Sequence, residues 1–287
     1  MKPRLIIGVL ISLTCFTLCS GPMAAQNVPR VVHVFVALAD NTHQGIVPVS
    51  PRLGNGDDPE HNLYWGAAYG LKTFFAHSTD WHLTVSQAHP TPAVLERCIF
   101  HHQSGNVILI ADAYRGSEIR QAIVDFLKAS AGQVEESAIA AVRGSANPII
   151  APALADLVVY VGHEGLMDFT LLEIPRPKNN ADPQNRAASE GEHGHLSQHV
   201  HAQERQAIVL ACISKSYFAE PLRAAGATPL LWTTSLMAPE AYTLKSALDG
   251  WVLRENPSQI RDRAAAAYSR YQHCSLAAAR RLLVTGW

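Results

Sequence analysis

Cys212 and His163 are the two side chains whose types and positions could carry covalent chemistry. Each closes an apolar run, Asp156-Leu157-Val158-Val159-Tyr160-Val161-Gly162-His163 in one case and Gln206-Ala207-Ile208-Val209-Leu210-Ala211-Cys212 in the other. A cysteine attacks as the thiolate, and an imidazole within reach takes its proton. Runs of this length, rich in Val and Ile and ending in Gly or a small residue, read as central strands of a parallel sheet. Such sheets bind ligands outside the carboxyl ends of their strands, so both side chains are expected to face one crevice. Glycines near His163 on both sides, Gly162 and Gly165, suggest a tight turn that exposes the ring. The plain alternatives are a small buried core cysteine and a satisfied core histidine.

With these two strand ends the chain resembles the caspase-like (clan CD) cysteine peptidases, in which one strand ends in His-Gly and the next in Ala-Cys. His163 precedes Cys212 by 49 residues (212 − 163), near the family spacing of about 50. Ala211-Cys212 matches the family dipeptide, whereas Glu164 interrupts the His-Gly pair and Leu210 and Ile213 stand where the family has polar residues. The resemblance spans residues 31–252 in topology and is motif-specific only at the two strand ends. It implies His163 and Cys212 as the catalytic pair, a peptide or protein substrate and no cofactor. It also implies an oxyanion held by the backbone N–H groups of Cys212 and Gly165, with Glu164 inserted between His163 and Gly165.

The elements that must position this pair alternate along the chain. Residues 31–39 read as a first buried strand, followed by a long loop over 40–62 and a helix over 62–77 capped by Asn62. Strands are expected over 81–88 and 107–111, then a helix opened by Ser117 and ending near Gly132, and another over 134–143. Residues 175–203, with their prolines and polar side chains, read as an exposed loop. After the Cys212 strand come a helix over 217–225, a strand over 229–233, a helix over 239–251 and one or two closing helices over 257–283. This alternation predicts an α/β fold with a mostly parallel sheet sandwiched between helices, caspase-like in arrangement. Polar residues at the strand ends, Asp40, Asn41, Asp112, Arg115, Ser214 and Thr233, are expected to bind substrate around the pair. The competing reading gives Asp112 a turn-capping role and Arg115 a surface partner.

Composition limits the remaining possibilities. With 48% hydrophobic and 16% charged residues the chain can build a large core. A formal charge of −1 without any run of Lys or Arg argues against a nucleic-acid partner. Residues 1–25 read as an export signal: Lys2 and Arg4, an apolar stretch from Leu5 to Cys19, then small residues up to Ala25. The expected product is one domain over 26–287, periplasmic or extracellular, with no stable membrane insertion once the signal is removed. Cys98, Cys212 and Cys274 would remain, an odd number that leaves at least one thiol unpaired within the chain.

The stretch from His193 to His201 is rich in imidazoles but has no cysteine or carboxylate pattern to fix a geometry, so no metal ligand is assigned there. Two rival functions stand beside the peptidase. One is a non-catalytic α/β binding protein using the 40–62 loop; the other is a metal-dependent hydrolase using the histidine-rich stretch.

Overall fold

The computed structural model describes residues 29–133, 136–140, 149–177 and 205–287. The expected export signal, the histidine-rich stretch and most of the 175–203 loop lie outside these residues.

In chain order the elements are β1 (Arg30–Ala37), α1 (Leu71–Ala76), β2 (Trp81–Ala88), β3 (Val94–His102), β4 (Val107–Tyr114) and α2 (Ile119–Ser130). A two-stranded hairpin follows, β5 (Glu136–Ala140) with β6 (Ile149–Ala153), then β7 (Leu157–Val161) and β8 (Gln206–Leu210). The chain closes with α3 (Ser214–Ala225), β9 (Thr228–Thr233), α4 (Ala241–Val252), α5 (Pro257–Gln272), α6 (Leu276–Leu282) and β10 (Leu283–Val284). Eight strands form one sheet in the order β10-β9-β8-β7-β1-β4-β3-β2. The five from β9 to β4 are mutually parallel, while β10, β3 and β2 each join by an antiparallel pairing.

The central strands are predominantly apolar because both faces of the sheet are covered, with His33 of β1 and Asp112 of β4 as buried, mutually paired exceptions. Val32, Val34 and Val36 of β1 point into a core shared with α1, α4, α5 and α6, through residues such as Phe75, Leu248, Ala264 and Leu282. Val31, Phe35 and Ala37 point the other way, onto Ile123 and Phe126 of α2 and Phe218 and Leu222 of α3. The protein is therefore an α/β sandwich around a mostly parallel sheet. No helix among the described residues is long and apolar enough to cross a membrane.

Three local expectations are corrected. The helix expected over 62–77 is a single short one, α1, preceded by turns. Asn62 does not cap it. Its buried amide instead accepts from the Ala39 N–H and donates to the Ala39 and Asn55 carbonyls, tying the long loop to the end of β1. A Cβ on Gly70 would lie 2.4 Å from the Trp65 carbonyl, so the chain enters α1 by a close approach that only glycine permits. The helix expected over 134–143 is replaced at 136–140 by β5, which pairs with β6 in register from Glu136↔Ala153 to Ala140↔Ile149. Pairing across a hairpin overrides the helix preference of its alanines.

Strand β3 was not expected, because Glu96 and Arg97 break its apolar run. Both charges are neutralised inside the sheet. Glu96 accepts from Trp65 Nε1 at 2.7 Å and Ser86 Oγ at 2.6 Å and pairs with Lys72 at 2.8 Å. Arg97 makes a two-pronged contact to Asp112, both bonds 2.6 Å long.

Candidate functional site

Strands β7 and β8 are neighbours and parallel, with Val161 opposite Leu210. Their carboxyl ends therefore deliver His163 and Cys212 to the same edge of the sheet. Both residues line one cleft of about 360 Å³, together with Gly162 and two loop walls. One wall comes from the loop after β1 (Gly45, Ile46, Val47, Val49, Leu63, Tyr64), the other from the loop after β9 (Leu236 to Glu240).

The turn carrying Cys212 is held from several directions. Ile213, directly after it, has φ of 53°, a left-handed conformation that a β-branched residue adopts only under constraint. The constraint is visible: the Ile213 N–H donates to the Ser235 carbonyl at 3.0 Å, and the Ser214 N–H donates to Thr233 Oγ1 at 3.1 Å. Ser214 Oγ donates to the Val209 carbonyl and accepts from the Thr233 N–H, both at 2.9 Å, while Thr233 Oγ1 donates to the Ala211 carbonyl. The sulfur itself sits against Met237, 3.4 Å from its N–H and 3.6 Å from its carbonyl oxygen. A thiol can donate to that carbonyl, and a thiolate can accept from that N–H. Cys212 also lies just ahead of the first turn of the twelve-residue α3, whose amino end favours an anion.

His163 is positioned by a second turn. Gly162 has φ of 152°, and a Cβ there would lie 2.9 Å from the Ala37 carbonyl oxygen, so the step from β7 to His163 requires glycine. Tyr160 donates its hydroxyl proton to the His163 carbonyl at 2.8 Å. The ring Nε2 lies 2.6 Å from Oδ2 of Asp168, a carboxylate that also accepts from the Gly45 N–H at 3.4 Å. An imidazole donating Nε2–H to Asp168 keeps its lone pair on Nδ1, which is the form that accepts a proton. Asp168 is a residue that sequence reasoning missed. It reaches His163 only because a 3₁₀ turn, Gly165–Met167, folds the chain back over five positions.

The backbone donors do not match the oxyanion pair implied by the sequence. The Gly165 N–H is committed to the His163 carbonyl at 3.0 Å, and Gly165 is buried. Glu164 shows no exposed surface. The Cys212 N–H donates in no backbone hydrogen bond among the described residues.

Glu164 is unusual in its own right, because neither carboxyl oxygen finds a hydrogen-bond partner among the described residues. Burial pushes its pKa up to about 8, the charge of Asp168 adds to the rise, and the nearby Leu166 amide opposes it. An unfolded glutamate ionises near ~4.3. The folded state therefore binds more protons between that value and about 8, and stability falls as pH rises through this window. Glu164→Gln, which cannot ionise, is expected to raise Tm near pH 8 and to change it little near pH 5. Parallel melting curves of the two proteins across this range check it, and an unchanged gap would show that the carboxyl carries no such cost.

The other expected substrate-binding residues do not line the cleft. Ser214 and Thr233 are buried in the lock beneath Cys212 just described. Asp40 is buried and accepts from the Thr42 and His43 N–H groups and from His43 Nδ1. Asn41 brackets Val49, donating to its carbonyl at 2.9 Å and accepting from its N–H at 3.1 Å, and so shapes the wall from behind. Asp112 lies within β4, bound to Arg97 and His33, and Arg115 pairs with Asp57 at the surface. Most of these positions follow a strand, which brings them near one edge of the sheet without placing them in the cleft lining, whereas Asp112 lies inside β4 itself.

Cys98, Cys212 and Cys274 are all free thiols. Among the described residues, no group of three or more His, Cys, Asp or Glu side chains is arranged to hold a metal ion. The chain matches no protein-family model, no curated protein and no solved structure.

Proposed function

We propose that the protein is a cysteine peptidase of caspase-like type, exported by its first 25 or so residues, with Cys212 as nucleophile and His163 as base. The observation that carries this reading is that the two side chains line one cleft from the carboxyl ends of adjacent parallel strands. Nearby features support it. Constrained backbone follows the thiol, the Met237 N–H lies 3.4 Å from the sulfur, α3 begins two residues after Cys212, and a carboxylate fixes the imidazole tautomer.

In this reading Cys212 gives its proton to Nδ1 of His163, and the sulfur attacks the scissile carbonyl carbon. The oxyanion is met by the Cys212 N–H. The C–N bond then breaks, and the departing amine takes the proton from His163. Water, deprotonated by the same imidazole, cleaves the resulting thioester and returns the thiol. Losing one oxyanion donor typically costs about 10²- to 10³-fold in kcat, so a site with the Gly165 amide already engaged turns over slowly.

The test is the rate at which iodoacetamide alkylates Cys212. His163→Ala is expected to slow it at neutral pH by about 10²-fold, in the range of general-base contributions. Asp168→Asn is expected to slow it less and to shift the pH at which the rate rises. Alkylation that is indifferent to both substitutions would leave Cys212 as a bystander, and the cleft as that of a binding protein.

A further inference from the structure

We infer that the cleft selects an apolar side chain on the carbonyl side of the bond that is cut, an inference that rests on the peptidase reading above. Its interior is walled by Ile46, Val49, Leu63 and Met237. At its mouth three large apolar residues stand in water: Val47 is 86% exposed, Leu236 69% and Met167 46%. Apolar side chains held out of the core and converging on one opening mark a surface shaped for an apolar partner.

Charge argues in the same direction. Among the described residues no Lys or Arg lines the cleft. An acidic substrate side chain would therefore lose its hydration without gaining a lysine or arginine counter-ion. It would also approach Glu240, which lines the cleft and whose carboxyl pKa burial has raised. Among the described lining residues a basic side chain has only the Glu240 carboxyl to meet, and its Oε2 already accepts from Tyr242 Oη at 2.9 Å and from Gln272 Nε2 at 3.2 Å. The carbonyl half of the substrate is the half that stays joined to Cys212 after the amine departs. Apolar binding on that side thus holds the substrate through both chemical steps.

Tripeptide chloromethyl ketones of the form Ala-Ala-X test this, with X as Leu, Asp or Arg. The thiolate displaces chloride to form a stable carbon–sulfur bond, so no turnover is needed, and mass spectrometry of digests reads the modification at Cys212. Each rate is divided by the iodoacetamide rate on the same protein. The leucyl reagent is expected to label at least ~10-fold faster than the aspartyl or arginyl one, the scale on which apolar pockets discriminate. Leu236→Asp, at an exposed position, should lower the leucyl ratio about tenfold. Equal ratios, a faster aspartyl or arginyl reagent, or a leucyl ratio unmoved by Leu236→Asp would overturn the inference and leave the peptidase reading standing. A Cys212 that resists iodoacetamide itself would overturn both.

Discussion

Cys212→Ala is expected to abolish peptide hydrolysis while the fold persists. In the proposed reaction the sulfur is the atom that bonds to the carbonyl carbon, and no other thiol among the described residues is placed to replace it. Cys98 is fully buried in β3, and burial with the neighbouring Glu96 pushes its thiol far above the usual range. Cys274 follows α5 and does not line the cleft. The substitution removes one partly exposed atom whose polar contacts are the two to Met237, so the change in stability should stay within about 1 kcal/mol. Hydrolysis of peptides with an apolar residue before the scissile bond, followed alongside circular dichroism and melting temperature, separates loss of chemistry from loss of fold. In the unsubstituted protein iodoacetamide should reach Cys212 before Cys98 or Cys274. Three thiols reacting at the same rate in the folded protein would remove the chemical basis for the nucleophile.

The sequence was most informative where an element is defined by one physical demand. Strands buried on both faces have to be largely apolar, so β1, β7 and β8 stand out by composition, and the ends of β7 and β8 lead to His163 and Cys212. The sequence was least informative where residues distant along the chain settle one another's cost. In β3, Glu96 and Arg97 break the apolar pattern and become tolerable only through Trp65, Ser86, Lys72 and Asp112, which single-segment periodicity does not register. Asp168 falls in the same class, because neither helix nor strand spacing brings residues five apart together. Asn62 carried a helix-cap signal that the fold uses for a loop clamp, since an unpaired Ala39 amide in the core costs more than an uncapped helix start.

Polar strand ends were over-read for a related reason. The carboxyl edge of a parallel sheet collects loops, and loops need buried side chains to hold their backbones as much as they offer side chains to substrate. Asp40 and Asn41 satisfy backbone groups of the loop after β1 that forms one wall, and Ser214 and Thr233 satisfy those of the turn that carries Cys212. They bear on function through the shape of that wall and turn.

Asp112→Ala is expected to cost about 3–5 kcal/mol, because it strips a buried carboxylate from two cationic or potentially cationic partners. Asp112 is 1% exposed, and its two oxygens take Arg97 Nε and one terminal guanidinium nitrogen at 2.6 Å and His33 Nε2 at 3.0 Å. At roughly 2–4 °C per kcal/mol for a chain of this size, the melting temperature should drop by about ten degrees. Burial by itself would raise the Asp112 pKa, but the hydrogen bonds and charges of Arg97 and His33 outweigh it and hold the carboxyl below its usual range. A depressed folded pKa contributes stability that is full above the unfolded value, near ~3.9, and is lost as pH falls through the folded one. The gap in Tm between the two proteins should therefore be widest at neutral pH and close as the pH drops below about 4. Asp112 reaches the cleft only through the sheet, so the fraction of Asp112→Ala protein that remains folded should still alkylate at Cys212 at the normal rate. Slowed alkylation with an unchanged melting temperature would instead tie Asp112 to the chemistry, as its place near a strand end first suggested.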